Sequence, residues 1–127
     1  MLGEQKMSSK NCHMSLNLKQ LDEIQIAYDK VFFDLKGSSV LEKIRHINLH
    51  LTCTLGKLAR FCEKAEHAIK NGEDPMSLPE NLIVKKEVIA DLLSHAAQLG
   101  NLLETDLESA FLERIAHNTE RFAKTKL

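Results

Sequence analysis

Apolar side chains recur every three or four residues along most of this chain, the spacing of one face of an α-helix. Between about residues 16 and 35 the series is Leu18, Leu21, Ile24, Tyr28, Val31 and Leu35, and Gly37-Ser38-Ser39 interrupts it. From about Ser39 to Lys70 it runs Ile44, Ile47, Leu51, Leu55, Leu58, Cys62, Ala65 and Ile69, a sustained seam of the kind two packed helices share. Asn71-Gly72 stops this segment, with Lys70 in its last turn. The stretch 73–82 contains both prolines, Pro75 and Pro79, and is predicted as a loop. A third segment, about 83–103, presents Val88, Leu92, Ala96, Leu99 and Leu103, flanked by Ile89, Leu93 and Leu102, so its apolar arc is broad. Thr105 with Glu108 three residues on has the pattern of a capping box for a fourth helix carrying Leu107, Ala110, Phe111, Ile115 and Phe122. No run alternates with period two and no internal repeat occurs. The expectation is an all-α bundle of four helices.

Length narrows the organisation to one domain, since 127 residues fit the usual ~100–200 per domain. The polar start, 1–15, reads as a flexible tail and 16–127 as the folded unit. Met7 and Met14 are conceivable alternative starts. A bundle this short has limited core volume. Together with the broad arc of the third segment, that predicts a core completed by homo-oligomerisation, as a dimer or tetramer; a monomeric bundle is the alternative.

Charge is nearly balanced, 17 basic side chains against 18 acidic. No general nucleic-acid binding is therefore expected, because backbone binding draws on clustered Lys and Arg. No segment approaches the ~18–20 continuous apolar residues that span a bilayer, and the first residues lack the apolar centre of a secretory signal. Cys12, Cys53 and Cys62 are odd in number and show no CxxC spacing, which fits thiols in a reducing cytoplasm better than a disulfide scaffold or a structural zinc site.

The C-terminal third reads Glu87-Val-Ile-Ala-Asp91-Leu-Leu, then Ala97-Gln-Leu-Gly-Asn-Leu-Leu, then Thr105 through Phe122 with Arg114, Asn118 and Arg121 on one helix. Upstream lies Thr54-Leu-Gly-Lys-Leu-Ala59. These stretches resemble the MazG-like family of all-α nucleoside triphosphate pyrophosphohydrolases over about two thirds of the chain. The resemblance implies Mg²⁺-dependent cleavage of a nucleoside triphosphate to monophosphate and pyrophosphate, with Mn²⁺ as a substitute ion. In such a site hard oxygen ligands on facing helices hold the cation, and basic and amide groups on the last helix hold the phosphates.

Two registers are open for the metal ligands. In the one set by Leu55-Gly56-Lys57-Leu58-Ala59, family acidic positions carry Thr54 and Lys57, the next falls on Val88, and Asp91 alone is retained. A charged lysine does not ligate a cation, so this register describes a decayed site. In the other, Glu63-Lys-Ala-Glu66 joins Glu87 and Asp91, which share a helix face, in a shifted four-carboxylate cage. The last helix fits better: Arg114, Asn118 and Arg121 fall on the family's Lys, Asn and Arg, and are implied phosphate ligands; ion pairing of the arginines with Glu113, Glu120 or a neighbouring subunit is the bland alternative. Histidine offers another metal reading. His46 and His50 are four apart, as are Asp91 and His95, and a site that lost its glutamates could hold a metal through His50 and His95. Two functions follow: a pyrophosphohydrolase, or a catalytically impaired scaffold that binds nucleotide, regulates or mediates interaction.

Overall fold

The structure, a computed structural model, describes residues 15–33 and 36–125; the expected N-terminal tail falls almost wholly outside the described residues, as do Cys12, Leu35 and Lys126. All regular elements among the described residues are helical. α1 is Leu18–Phe32, α2 is Val40–Lys70, and a 3-10 turn covers Pro75–Ser77. α3, Pro79–Ile83, passes through a π-helical turn, Val84–Val88, into α4, Ile89–Leu102, without leaving helical backbone, and α5 is Leu107–Thr125. Because α3, the π turn and α4 form one rod, four helices result among the described residues, as the periodicity predicts.

Local chemistry explains the boundaries. Asn17 caps α1 in a capping box: its Oδ1 accepts from Gln20 N–H at 2.8 Å and Gln20 Oε1 accepts from Asn17 N–H at 3.0 Å. Ser39 Oγ accepts from Glu42 N–H at 3.1 Å and starts α2. That helix ends in a Schellman motif, with Glu73 N–H donating to Ala68 O at 2.8 Å and Gly72 at φ +73°, a conformation glycine adopts without strain.

The prolines do not make 73–82 a loop throughout. Asp74 Oδ1 accepts from Met76 N–H at 3.0 Å, and the 3-10 turn follows at once. Pro79 then opens α3, a position where no backbone N–H is required. The third helix thus begins four residues earlier than its apolar periodicity indicates. The fourth is capped one residue later than expected. Asp106, not Thr105, accepts from Ser109 N–H at 3.0 Å, while Thr105 N–H is engaged in closing α4 through Gly100 O at 2.8 Å. Its hydroxyl donates to Leu103 O.

α4 is the hub. α2 packs on α4, the π turn and α3, whereas α1 packs on α4 and α5; α5 touches α1 and α4 but not α2. Among the described residues the buried apolar side chains are Ile47, Ala68, Val88 and Ala97, and the buried polar ones Thr54, Asn81 and Gln98. Along α2 the inward line is Ile44, Ile47, Leu51, Thr54, Leu58, Phe61, Ala65 and Ala68, all buried or half-buried. Leu55, Cys62 and Ile69 of the expected seam stand exposed instead. Both lines are built of three- and four-residue steps, and only the position of the partner helix chooses between them.

The core is small and the apolar surface large. On α5 Phe111 and Phe122 are 60% and 58% exposed, and Ile24, Val31 and Phe32 of α1 and Ile89 and Leu93 of α4 are likewise open. No helix among the described residues is long and apolar enough to cross a membrane.

Candidate functional site

α2 and the α3–α4 rod run antiparallel, so lower numbers on α2 meet higher numbers on the rod. Two contacts fix this register. Lys57 Nζ lies 3.0 Å from Glu87 Oε1, and the His50 ring stacks on that of His95 at 6.0 Å between centroids. Between them, Thr54 sits 4% exposed in the seam.

Glu87 belongs to the π turn, whose i→i+5 hydrogen bonds span one residue more than those of an α-helix. Val88 is directed into the core, 1% exposed, while Glu87 remains at the surface opposite Lys57. The hydrogen bond that Lys57 donates to Glu87 is the main cause of an upward shift of its ammonium, with the charges of Glu87 and Asp91 adding to it. Both ends of this pair are about half exposed, so it adds little to stability. Its consequence is electrostatic: a fixed positive charge stands against the carboxylates of the candidate site.

The same register places the four candidate metal ligands. Glu63 and Glu66 are exposed and lie six and nine residues beyond Lys57 on α2, ~9 and ~14 Å further along the axis. The residue brought to Glu87 is therefore Lys57, and the glutamates are displaced toward the α3 end of the rod. Among the described residues no group of three or more His, Cys, Asp or Glu side chains is drawn together closely enough to hold a metal ion. Magnesium wants about six oxygen donors in near-octahedral array. An ammonium bonded to one of two carboxylates does not fit that requirement.

The implied phosphate ligands line α5. Arg114 and Arg121 are exposed; Arg121 lies over the Phe122 ring at 5.2 Å, and the ion pair formed at Glu120 is with Lys124, at 3.5 Å. Asn118 is half-buried, and its Oδ1 is buried without a hydrogen-bond partner. Since α5 makes no contact with α2, one chain does not bring these three residues to Lys57.

The histidines are more closely assembled. His46 and His50 place their Nε2 atoms 3.0 Å apart, and the Phe33 ring packs on His46 at 5.3 Å. These rings, with His95, Tyr28 and Phe32, line a cavity of about 420 Å³. A polar chain stands behind His95: its Nδ1 is 3.0 Å from Gln98 Oε1, Gln98 Nε2 donates to Asp29 Oδ1 at 3.0 Å, and Gln25 Nε2 donates to the same oxygen at 2.9 Å. The spacings Gln25/Asp29 and His95/Gln98 hint at local pairs, but the bond that joins them spans α1 and α4 and has no signal in the sequence. Elsewhere, Asp22 keeps a buried oxygen without a partner, and burial first, then the charge of Asp106, pushes its carboxyl above the usual range.

No family model, curated protein or solved structure matches the chain. Fold and site together define an all-α bundle with open apolar faces, a lysine–carboxylate pair at one helix junction and a histidine-lined cavity beside it.

Proposed function

We propose that this chain is a self-associating MazG-like scaffold of the cytoplasm in which Lys57 has taken the electrostatic part of a metal ion. It binds a nucleoside triphosphate rather than hydrolysing it. The 3.0 Å contact between Lys57 Nζ and Glu87 Oε1 carries this reading, because it sets a positive charge on one of the two carboxylates that a cation would otherwise bridge. Arg114, Asn118 and Arg121 are the phosphate ligands. Because α5 stays clear of α2 within one chain, they meet the Lys57 region across a subunit boundary in a dimer or tetramer. The exposed Phe111, Ile115 and Phe122 supply apolar area for that boundary. Cys53 and Cys62 are free and exposed, which suits a reducing compartment.

The second reading is the Mg²⁺- or Mn²⁺-dependent pyrophosphohydrolase with Glu63, Glu66, Glu87 and Asp91 as ligands. What favours it is that Glu87 and Asp91 share one face of the rod. One experiment separates the two: nucleoside triphosphate binding and pyrophosphate release, measured side by side with either cation. The scaffold predicts binding weakened by Arg114→Ala and Arg121→Ala, with no pyrophosphate formed. Cation-dependent release that disappears in Asp91→Ala returns the protein to the enzymes, and further loss in Glu63→Ala would establish the shifted cage.

A further inference from the structure

We infer, resting on the self-association proposed above, that the groove between α1 and α2 seats α5 of a second copy, with Phe111 at the Lys43 end and Phe122 at the Asp91 end.

The groove comes from the way the helices stack. Among the described residues α1 and α2 each pack on α4 but not on one another, and between them the Phe33 ring rests on His46 at 5.3 Å. Asp91, Ser94, His95, Gln98 and Leu102, one face of α4, form the floor. Two cavities of about 420 and 380 Å³ occupy the groove, and Phe33 and Gln98 line both. A trough between two helices and over a third is the place a fourth helix takes in a bundle. Side-chain sockets along a groove are what hold an amphipathic helix.

α5 is a helix without such a place. Within Leu107–Thr125, Leu107 and Asn118 are half-buried and every other residue is exposed. Helices draw most of their stability from packing of an apolar face rather than from propensity. The open apolar side chains Phe111, Ile115 and Phe122 fall on one face of α5, at steps of four and seven. From Phe111 to Phe122 is ~16 Å of helix, and the floor from Asp91 to Leu102 is equally ~16 Å long. Within one chain α5 is held on α1 and α4 and does not reach α2, so a second copy supplies the occupant.

Charge sets the direction. Lys30 and Lys43 line the cavity at the Leu102 end, where the Asp29 carboxylate is taken up by the Gln25 and Gln98 amides. At the other end the carboxylate lining the cavity is that of Asp91. On α5, Glu108 shares the face of Phe111, and Arg121 adjoins Phe122. A helix laid with its start at Lys43 matches both ends, whereas the reverse direction sets Arg121 against two lysines. The matching direction carries Arg121 toward Asp91 and the neighbouring Lys57–Glu87 pair, where the phosphate role of α5 needs it. Both copies offer the same groove and the same helix, so the contact is reciprocal, as in a two-fold dimer.

Mixing two charge variants tests the seat. Lys43→Glu and Glu108→Lys each set like charges at positions 43 and 108, and each alone should weaken the dimer about 10-fold in sedimentation equilibrium. Mixed in equal amounts they should associate as tightly as the parent, since each groove of the mixed pair then meets an opposite charge. Restoration by mixing also shows that both variants fold. Tyr28 gives a reading that needs no substitution, being the sole tyrosine of a chain without tryptophan and a lining residue of the larger cavity. Its quenching by acrylamide should rise as the parent is diluted through dissociation. Two outcomes would overturn the groove as the seat and leave self-association standing. One is an associating parent with unchanged Tyr28 quenching; the other is a mixture that stays dissociated while circular dichroism shows the parent's helicity. A monomeric parent would overturn both the seat and the self-association.

Discussion

Gly100 and Gly56 are both helical glycines, and their surroundings give them opposite expectations. A Cβ at Gly100 would stand 3.1 Å from Leu107 Cδ2 and 3.1 Å from Thr105 O, where the chain leaves α4 and enters α5. The backbone oxygen cannot move aside cheaply, because the same turn is closed by Thr105 N–H on Gly100 O. Gly100→Ala should therefore destabilise by ~1–3 kcal/mol, the range for overpacking. At Gly56 nothing lies within 4 Å, and Gly56→Ala should stabilise by ~0.5–1 kcal/mol through helix propensity. Urea unfolding of the two variants checks both signs, and equal effects would refute the distinction. Nothing in the stretches Leu99-Gly100-Asn101 and Leu55-Gly56-Lys57 separates these glycines, since the difference is made by neighbours arriving from another element. Lys57 teaches the same lesson. Its type and place next to a family-like motif are plain in the sequence, but its bond to a carboxylate thirty residues away is not.

Helix boundaries were legible to within a turn wherever a cap or stop uses residues close in the chain. Ser39 and Asn71-Gly72 are where the pattern puts them. The misses have local causes too: Pro79 reads as a breaker yet begins a helix, and Thr105 is claimed by the end of α4, which passes the cap to Asp106. The hydrogen bond from the Ser109 backbone, then that from its hydroxyl, holds the Asp106 carboxyl below its ordinary 3.8. A lowered carboxylate pKa contributes stability above the unfolded value and loses it as pH falls through the folded one. Asp106→Ala should thus lower Tm by a few degrees at neutral pH, and the difference from the parent should close in strong acid. Thermal unfolding followed by circular dichroism across pH 7 to about 2 reads this out; a gap that stays constant would exclude Asp106 as the cap. The π turn lacks such a signature. Val84-Lys-Lys-Glu-Val88 has ordinary helix formers, and the extra residue is accommodated because Val88 gains a buried place against α2.

At the scale of the molecule the balance of buried and open apolar surface is the governing fact. Among the described residues four buried apolar side chains make a slight core, while apolar residues of α1, α4 and α5 face outward. Association should therefore set the stability: Tm should rise with protein concentration, because binding between native chains pulls the folding equilibrium. Phe111→Glu together with Ile115→Glu should shift the assembly to monomer in sedimentation and remove the concentration dependence. A monomeric parent with a constant Tm would leave these faces to another partner. Helix number, all-α class and stop signals are readable along the chain because periodicity and capping act over three or four residues. The choice of Thr54 over Leu55 for the seam, the meeting of Lys57 with Glu87, and the Asp29–Gln98–His95 relay depend on how whole helices rotate and slide against each other. That is a sum over many distant contacts, and short spacings in a sequence do not record it.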